Sequence, residues 1–292
     1  MRTPPLYVIV SPVRDEAAHI AHTLQSVVGQ TVRPAKWVIV DDGSKDDTGS
    51  IVDSYAARHP WIEVIHCADR GHRVAGGGVM DAFYAGFTRV ERDAWDFVAK
   101  LDGDVSFDPD YFERCLEHFA AEPQLGIGGG TVLTLTKAGL STDSVGDPPF
   151  HVRGTAKIYR RTCFQQIGPL VKAPGWDTLD EVRANLLGWS TRTFPDVGMV
   201  HHKPTGSAYG SWADAFKNGR ANYISGYHPA FMLAKCAKRM FSKPYVVQAA
   251  GLGAGFLSGY LKRLPQLADA DTIRFLRHQQ MQRLLLRRSI YG

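Results

Sequence analysis

At 292 residues, 44% of them apolar and 22% charged, the chain can bury one large α/β core with or without an appended region, which excludes a disordered or fibrous protein. Its four cysteines, Cys67, Cys115, Cys163 and Cys236, form no C-x-x-C pair, which argues against a disulfide framework or zinc site and for reduced thiols in a cytosolic compartment. The net charge of +5 divides unevenly: residues 1–209 carry 21 Lys and Arg against 26 Asp and Glu, and residues 210–292 carry 13 against 3. Two regions with different partners are therefore expected, and without helix-turn-helix or zinc spacing nucleic acid is not among them.

The opening "MRTPPLYVIVSPVRDEAAH" has only a short apolar run before its charges and reads as a first strand, over 7–11, and not as a signal peptide. Helix-spaced Ile20, Leu24, Val27 and Val28 predict a helix over 15–29. A strand over 37–42, a helix over 46–58, a strand over 62–66, a glycine-rich loop, a helix over 79–92 and a strand over 97–102 continue the alternation. That order predicts a mostly parallel sheet with helices on both faces and ligands at the carboxyl ends of the strands. Asp41, Asp42, Asp102 and Asp104 all fall at such ends.

The stretch "FVAKLDGDVSFDP" closes a buried strand on Asp102 and Asp104 before a helix start at Asp108-Pro109. In an extended chain these carboxylates share one side and repel unless a cation sits beside them. Oxygen ligands suit Mg²⁺ or Mn²⁺, which also take substrate phosphate. Elsewhere, "RGHRVAGGGVMDAF" (70–83) lacks the third glycine of a dinucleotide site, and "GIGGG" (126–130) predicts a bend at a strand start.

The segments "VIVSPVRDEAAHIAHTLQSVVGQTVRPAKWVIVDDGSKDDT", "KLDGDVSFDPDYF", "GTAKIYRRTCFQQIGPL", "GWDTLDEVRANLLGW" and "HHKPTG" form an ordered set over roughly residues 6–206. The set resembles the inverting family 2 glycosyltransferases of the GT-A fold. The resemblance implies a Rossmann-like catalytic domain over 1–209; the charge count adds, outside the resemblance, a basic helical C-terminal region over 210–292. The resemblance also implies that Pro12 borders the nucleotide base, that Asp42 accepts a hydrogen bond from it while Asp41 holds the turn, and that Arg70 or Arg73 meets a phosphate. Asp104 would contact a divalent metal, Mn²⁺ or Mg²⁺, with Asp102 at the ribose or a metal-bound water. His201 or, by preference, His202 would complete the metal shell, and Lys203 would contact the diphosphate whose charge the cation neutralises.

An inverting transfer needs a carboxylate to take the acceptor's proton. The family supplies it from an E-D pair at a helix start, followed by an arginine and a glycine. Here the pair reads Trp176-Asp177, with Arg183 and Gly188 following, so Asp177 takes the base position without its preceding Glu. Asp180 and Glu181 are rival carboxylates. Asp177 is also expected as the helix N-cap, with Leu179, Val182 and Leu186 as the apolar face.

Beyond the resemblance, "YVVQAAGLGAGFLSGYL" (245–261) is 17 uncharged residues between Lys243 and Lys262-Arg263. It reads equally as a core helix, an interfacial helix or a span. A last helix sets Ile273, Leu276, Met281, Leu284 and Leu285 against Arg274, Arg277, Arg283, Arg287 and Arg288, a pattern expected at an anionic membrane surface. The combined expectation is a metal-dependent inverting glycosyltransferase, peripheral at the cytoplasmic face of the cell membrane. It would use a nucleotide-sugar donor and a glycan or lipid-linked acceptor to build a surface polysaccharide or glycolipid. Two alternatives stand beside it: a sugar nucleotidyltransferase, whose glycine-rich signature would occupy the place of "SPVRDE", and an inactive homologue serving as a membrane scaffold.

Overall fold

A computed structural model describes residues 5–69, 77–136, 139–142, 147–203, 210–241, 245–266 and 269–292. The chain runs β1 (Tyr7–Val13), α1 (Ile20–Val28), β2 (Lys36–Asp41), α2 (Thr48–Ala56), β3 (Ile62–His66), α3 (Gly77–Phe87), β4 (Phe97–Leu101), β5 (Val105–Phe107), α4 (Tyr111–Ala121), β6 (Leu125–Thr136) and β7 (Gly139–Thr142). It continues through β8 (Ala156–Arg160), α5 (Arg161–Ile167), α6 (Trp176–Leu186), β9 (Ser190–His201), α7 (Gly210–Ile224), α8 (Pro229–Arg239), α9 (Tyr245–Leu261) and α10 (Ala270–Leu284). The strands form one mixed sheet in the order β3-β2-β1-β4-β8-β6-β9-β5, with β7 on β6. β3, β2, β1 and β4 are parallel, as the alternating sequence requires, and β8 enters antiparallel to β4.

Strand periodicity explains why the first strands are apolar throughout. Tyr7, Ile9, Trp37 and Ile39 pack on one face with Ile20, Leu24 and Phe112, while Val8, Val10, Val38 and Val40 pack on the other with Met80, Phe83 and Phe87. β1 pairs with β4 only from Tyr7 to Val10, but with β2 as far as Val13. Pro12, which has no N–H to give, therefore sits where β4 has already left the ladder. β1 and β4 thus part at the point where the strand order changes direction, where doubly wound sheets bind ligands.

Two expected boundaries move for local reasons. α1 starts at Ile20 and not at residue 15, because the backbone N–H groups of Asp15, Glu16 and Ala17 donate to Ser44, Thr48 and Asp46 instead of to a helix. The helix expected at Asp108-Pro109 begins at Tyr111. The "GIGGG" stretch lies in β6, whose register against β9 shifts between Leu125 and Ile127 and again between Gly130 and Thr131, a bend of the kind its glycines predict.

The C-terminal helices have their own core, in which Tyr223, Tyr227, Met232, Leu252, Phe256 and Leu276 join Phe150 and Val182. α9 lies against α7 through Gly251, Gly255 and Gly259; a Cβ at Gly255 would collide with the Phe216 carbonyl, and one at Gly259 with the Tyr223 ring. Among the described residues no helix is long and apolar enough to cross a membrane, so the spanning reading of 245–261 does not hold. α10 also departs from expectation. Leu276 is buried against the protein and Ile273 packs on Gly226, so the middle of α10 faces inward, while Leu285 and Leu286, just past its end, are exposed. Further exposed apolar side chains lie on and just past α8 and on α9, at Leu233, Met240, Phe241, Val246, Val247, Leu257 and Leu261.

Candidate active site

The loops that follow β1 and β2 are laced together. Asp41 is buried and accepts the Ser44 N–H at 3.0 Å, with His66 Nδ1 3.0 Å from its other oxygen. It holds the turn. Asp15 adopts a left-handed φ of 53°, which lets its carboxylate take the Lys45 N–H at 2.9 Å while its own N–H reaches Ser44 Oγ at 3.0 Å. Asp42 is half-buried at the rim, and its carbonyl accepts from Arg14 Nη1 at 2.9 Å. Arg14 also pairs with Asp69 at 2.7 Å. Sequence reasoning missed Arg14, although an arginine directly after a buried strand was a readable signal. Arg70 and Arg73, the expected phosphate contacts, lie outside the described residues.

After Leu101 the chain turns sharply at Gly103, where a Cβ would lie 2.7 Å from Val13 and 3.0 Å from Ile20. Asp102 pairs with the Lys100 ammonium, which also donates to the Gly154 carbonyl at 2.7 Å. Asp104 Oδ2 lies 3.2 Å from His201 Nε2, at the end of β9. The two carboxylates have acquired different nearest cationic neighbours, Lys100 for Asp102 and the His201 ring for Asp104. Burial raises Asp102 despite Lys100, with Asp104 adding to the rise. Burial pushes Asp104 up as well, but the hydrogen bond and charge of His201, then Lys203 and Lys100, hold it below the usual carboxylate range.

The preferred His202 does not face this pair. Its ring stacks on His22 at 4.6 Å and its Nε2 lies 2.8 Å from Ser106 Oγ; only its backbone N–H reaches Asp104, at the carbonyl. Strand alternation is the cause: on β9, consecutive residues project to opposite sides, so only one of the two histidines can meet Asp104. Lys203 pairs with Glu16 at 2.8 Å, and the other Glu16 oxygen is buried without a hydrogen-bond partner. Among the described residues no three His, Cys, Asp or Glu side chains are placed to hold a metal between them. The protein offers the oxygen and nitrogen of Asp104 and His201, in surroundings where an orphaned carboxylate oxygen favours a further cation.

The rival carboxylates on α6 separate cleanly. Asp180 and Glu181 are buried: Asp180 receives Lys157 Nζ at 3.1 Å on both oxygens and Tyr159 Oη at 2.6 Å. Glu181 takes Lys157 at 2.7 Å, the Val152 N–H at 2.7 Å and His151 at 3.0 Å. Burial raises Asp180 to about 6, with Lys157 opposing. These groups clamp α6 to β8. Asp177 is half-buried, and its carboxylate has no hydrogen-bond or ion-pair partner among the described residues. It is not the N-cap; that position belongs to Gly175, whose left-handed φ of 88° and lack of a Cβ let Ser225 approach the helix start.

Gly154 links the two groups of carboxylates. Its carbonyl receives the lysine that pairs with Asp102, and a Cβ on it would stand 3.4 Å from Asp177 Cβ and 2.9 Å from the Trp176 ring. Beyond Asp177 opens a polar cavity of about 630 Å³ between α6 and the C-terminal helices, with His151, Asn218, Asn222, Lys235 and Arg239 among its walls.

Comparison with known proteins identifies the family and the fold. The sequence profile of Glycosyl transferase family 2 matches residues 8–164, from β1 into α5 and through the whole D-G-D turn. The chain is 29% identical to chondroitin synthase of Escherichia coli over 121 residues, 41% of this chain and 16% of that protein. It is 34% identical to polyprenol monophosphomannose synthase of Mycolicibacterium smegmatis over 100 residues, 32% of this chain and 36% of that one. The matched stretches thus span far less than two thirds of these relatives. Among solved structures, mannosyltransferase PcManGT from Pyrobaculum calidifontis superposes with a TM-score of 0.57 at 17% identity, over 97% of this chain and 81% of that one. TarS residues 1–349 of S. aureus in complex with UDP gives 0.54 at 15%, over 88% and 72%. At these identities the likeness is one of fold, a mixed α/β sheet of the GT-A type with C-terminal helices. With more than half of its residues inside the family profile, the chain belongs to glycosyl transferase family 2.

Proposed function

We propose that the chain transfers a sugar from a nucleotide-sugar donor to a hydroxyl acceptor with inversion at the anomeric carbon, in the synthesis of a cell-surface polysaccharide or glycolipid. One observation carries this reading. An unpartnered carboxylate, Asp177, lines a cavity next to Gly154, whose carbonyl takes the lysine that pairs with Asp102, while Asp104 and His201 meet just past the point where β1 and β4 part. In this reading Asp42, Pro12 and Arg14 border the nucleotide, and Asp102 lies towards the ribose. A divalent cation, Mn²⁺ or Mg²⁺, held by Asp104 and His201 would neutralise the diphosphate as it leaves. The presence of GDP-Man and Mn²⁺ in the PcManGT structure supports that cation.

The acceptor oxygen attacks the anomeric carbon from the face opposite the diphosphate, its proton passes to Asp177, and the bond to the diphosphate oxygen breaks. Residues 1–209 form the catalytic domain. Residues 210–292 wall the acceptor side and hold the enzyme peripherally at the cytoplasmic membrane face through the apolar surface of α8 and α9, where Phe241 is 84% exposed. Asp177→Asn tests the assignment, because it keeps the side chain's shape and removes the proton acceptor. With a panel of UDP-, GDP- and dTDP-sugars and membrane lipid extracts, transfer should fall roughly 10²-fold or more while nucleotide affinity persists. Full transfer by this variant would remove Asp177 from the mechanism.

A further inference from the structure

We infer that the acceptor carries an anionic group, phosphate or carboxylate, next to the hydroxyl it presents, and that Lys235 and Arg239 are the counter-charges for that group. The inference rests on Asp177 as the base and names the class of acceptor for its cavity.

Lys235 and Arg239 lie four residues apart on α8, so they share one face of the helix and the same cavity as Asp177. Neither has an ion-pair partner among the described residues. Lys235 rests over the Tyr227 ring at 5.2 Å, and Arg239 reaches only the neutral Gln248 Oε1, at 3.5 Å. The cavity's other acidic groups are engaged: Asp147 pairs with Arg153 at 3.1 Å and Asp214 with Lys217 at 2.9 Å. Two cations thus stand together on one face of α8, Lys235 half-buried and Arg239 exposed, with no counter-charge paired to either among the described residues, and their mutual repulsion is relieved when an anion arrives. Burial and then Arg239 lower Lys235 to about 8 against the weaker pull of Asp147.

The placement also sets an order on the ligand. Asp177, on the α6 wall, repels an anion and favours a neutral hydroxyl, whereas α8 favours the charge. An acceptor bearing both groups would enter in one orientation, with its hydroxyl at the base. A phosphate acting as the nucleophile itself would have to sit against Asp177, and the same electrostatics oppose it.

Calorimetric titration of the full chain with glycerol 3-phosphate, glycerate and glycerol tests this directly. The two charged probes should bind and glycerol should not, and the tighter of the two identifies phosphate or carboxylate as the natural group. Lys235→Gln and Arg239→Gln should each weaken binding about tenfold or more, since each removes a charge-assisted hydrogen bond. Lys235→Arg should restore most of it, and unfolding midpoints taken alongside identify any variant that merely fails to fold. Charged probes that bind no better than glycerol, or folded glutamine variants of unchanged affinity, would overturn the inference. Asp177→Asn should leave probe binding intact or tighter while abolishing transfer, so the acceptor class and the assignment of the base fail by different measurements.

Discussion

Replacing Lys157 with Met removes the cation at the centre of the cluster beneath α6. In the native chain Lys157 Nζ lies 3.1 Å from both Asp180 oxygens and 2.7 Å from Glu181 Oε1, and it donates to the Asp177 carbonyl. After the substitution Asp180 keeps Tyr159 and Glu181 keeps Val152 and His151, but two adjacent buried carboxylates lose their shared counter-charge. Breaking a buried pair in this way costs about 3–5 kcal/mol, a large share of the roughly 5–15 kcal/mol that holds a domain together. The cost should depend on pH. Folded Asp180 holds its proton up to about pH 6 and an unfolded aspartate only to about 3.8, so its contribution to stability rises as pH falls between those values. Without Lys157 the carboxyl would hold its proton to still higher pH, and protonation would remove one of the two uncompensated charges. Urea unfolding should therefore show the full loss at pH 8 and roughly half of it at pH 5. A loss below about 1 kcal/mol, or one that is equal at both pH values, would refute the view that this cluster anchors α6.

Three further outcomes follow from the same geometry. His201→Gln should raise the Mn²⁺ concentration needed for half-maximal transfer by roughly 10–100-fold, whereas His202→Gln should change it by no more than about twofold because that ring faces His22 and Ser106; the reverse order in a Mn²⁺ titration would return the role to His202. Asp104→Ala should abolish transfer and donor hydrolysis with an unchanged circular dichroism spectrum, and EDTA should do the same; activity that survives both sinks the metal mechanism. The full chain should float with anionic liposomes, less at high salt, and Phe241→Glu with Val246→Glu should abolish flotation, since both side chains are exposed on the α8–α9 surface. Absence of flotation by the native chain in either salt condition would end the membrane reading.

Where the sequence was legible, periodicity made it so. The parallel half of the sheet could be read because β1, β2 and β4 carry apolar residues on both faces and the edge strand 62–66 still carries Ile62, Val64 and Ile65, with helix-spaced apolar residues between them. The start of α1 was not legible, because its first turn is lost to hydrogen bonds with a loop 30 residues away. Asp180 and Glu181 could not be told from Asp177 by position on the helix alone. The missing clue lay in Lys157, a lysine in the middle of the apolar strand "AKIYR", whose burial demanded carboxylates from somewhere in the fold. His201 and His202 pose the same kind of problem, since one residue of strand register decides which ring meets Asp104. On α10 composition reveals an amphipathic helix but not which of its residues the neighbours cover: Leu276 is buried, whereas Leu285 is exposed.

The glycine contact between α7 and α9 sets the width of the cavity beside Asp177. Asn218 and Asn222 come from one of these helices and Gln248 and Leu252 from the other, and all four line the chamber. Gly219 and Gly255 are the points at which the two backbones touch, and a single methyl on either would meet a main-chain carbonyl that cannot rotate aside. A side chain admitted there must drive the helices apart along their whole crossing and carry the opposite walls with them. A library restricted to Gly219, Gly251, Gly255 and Gly259 would therefore vary the cavity's width by moving Asn218, Asn222 and Gln248 together with their helices, without replacing any of them.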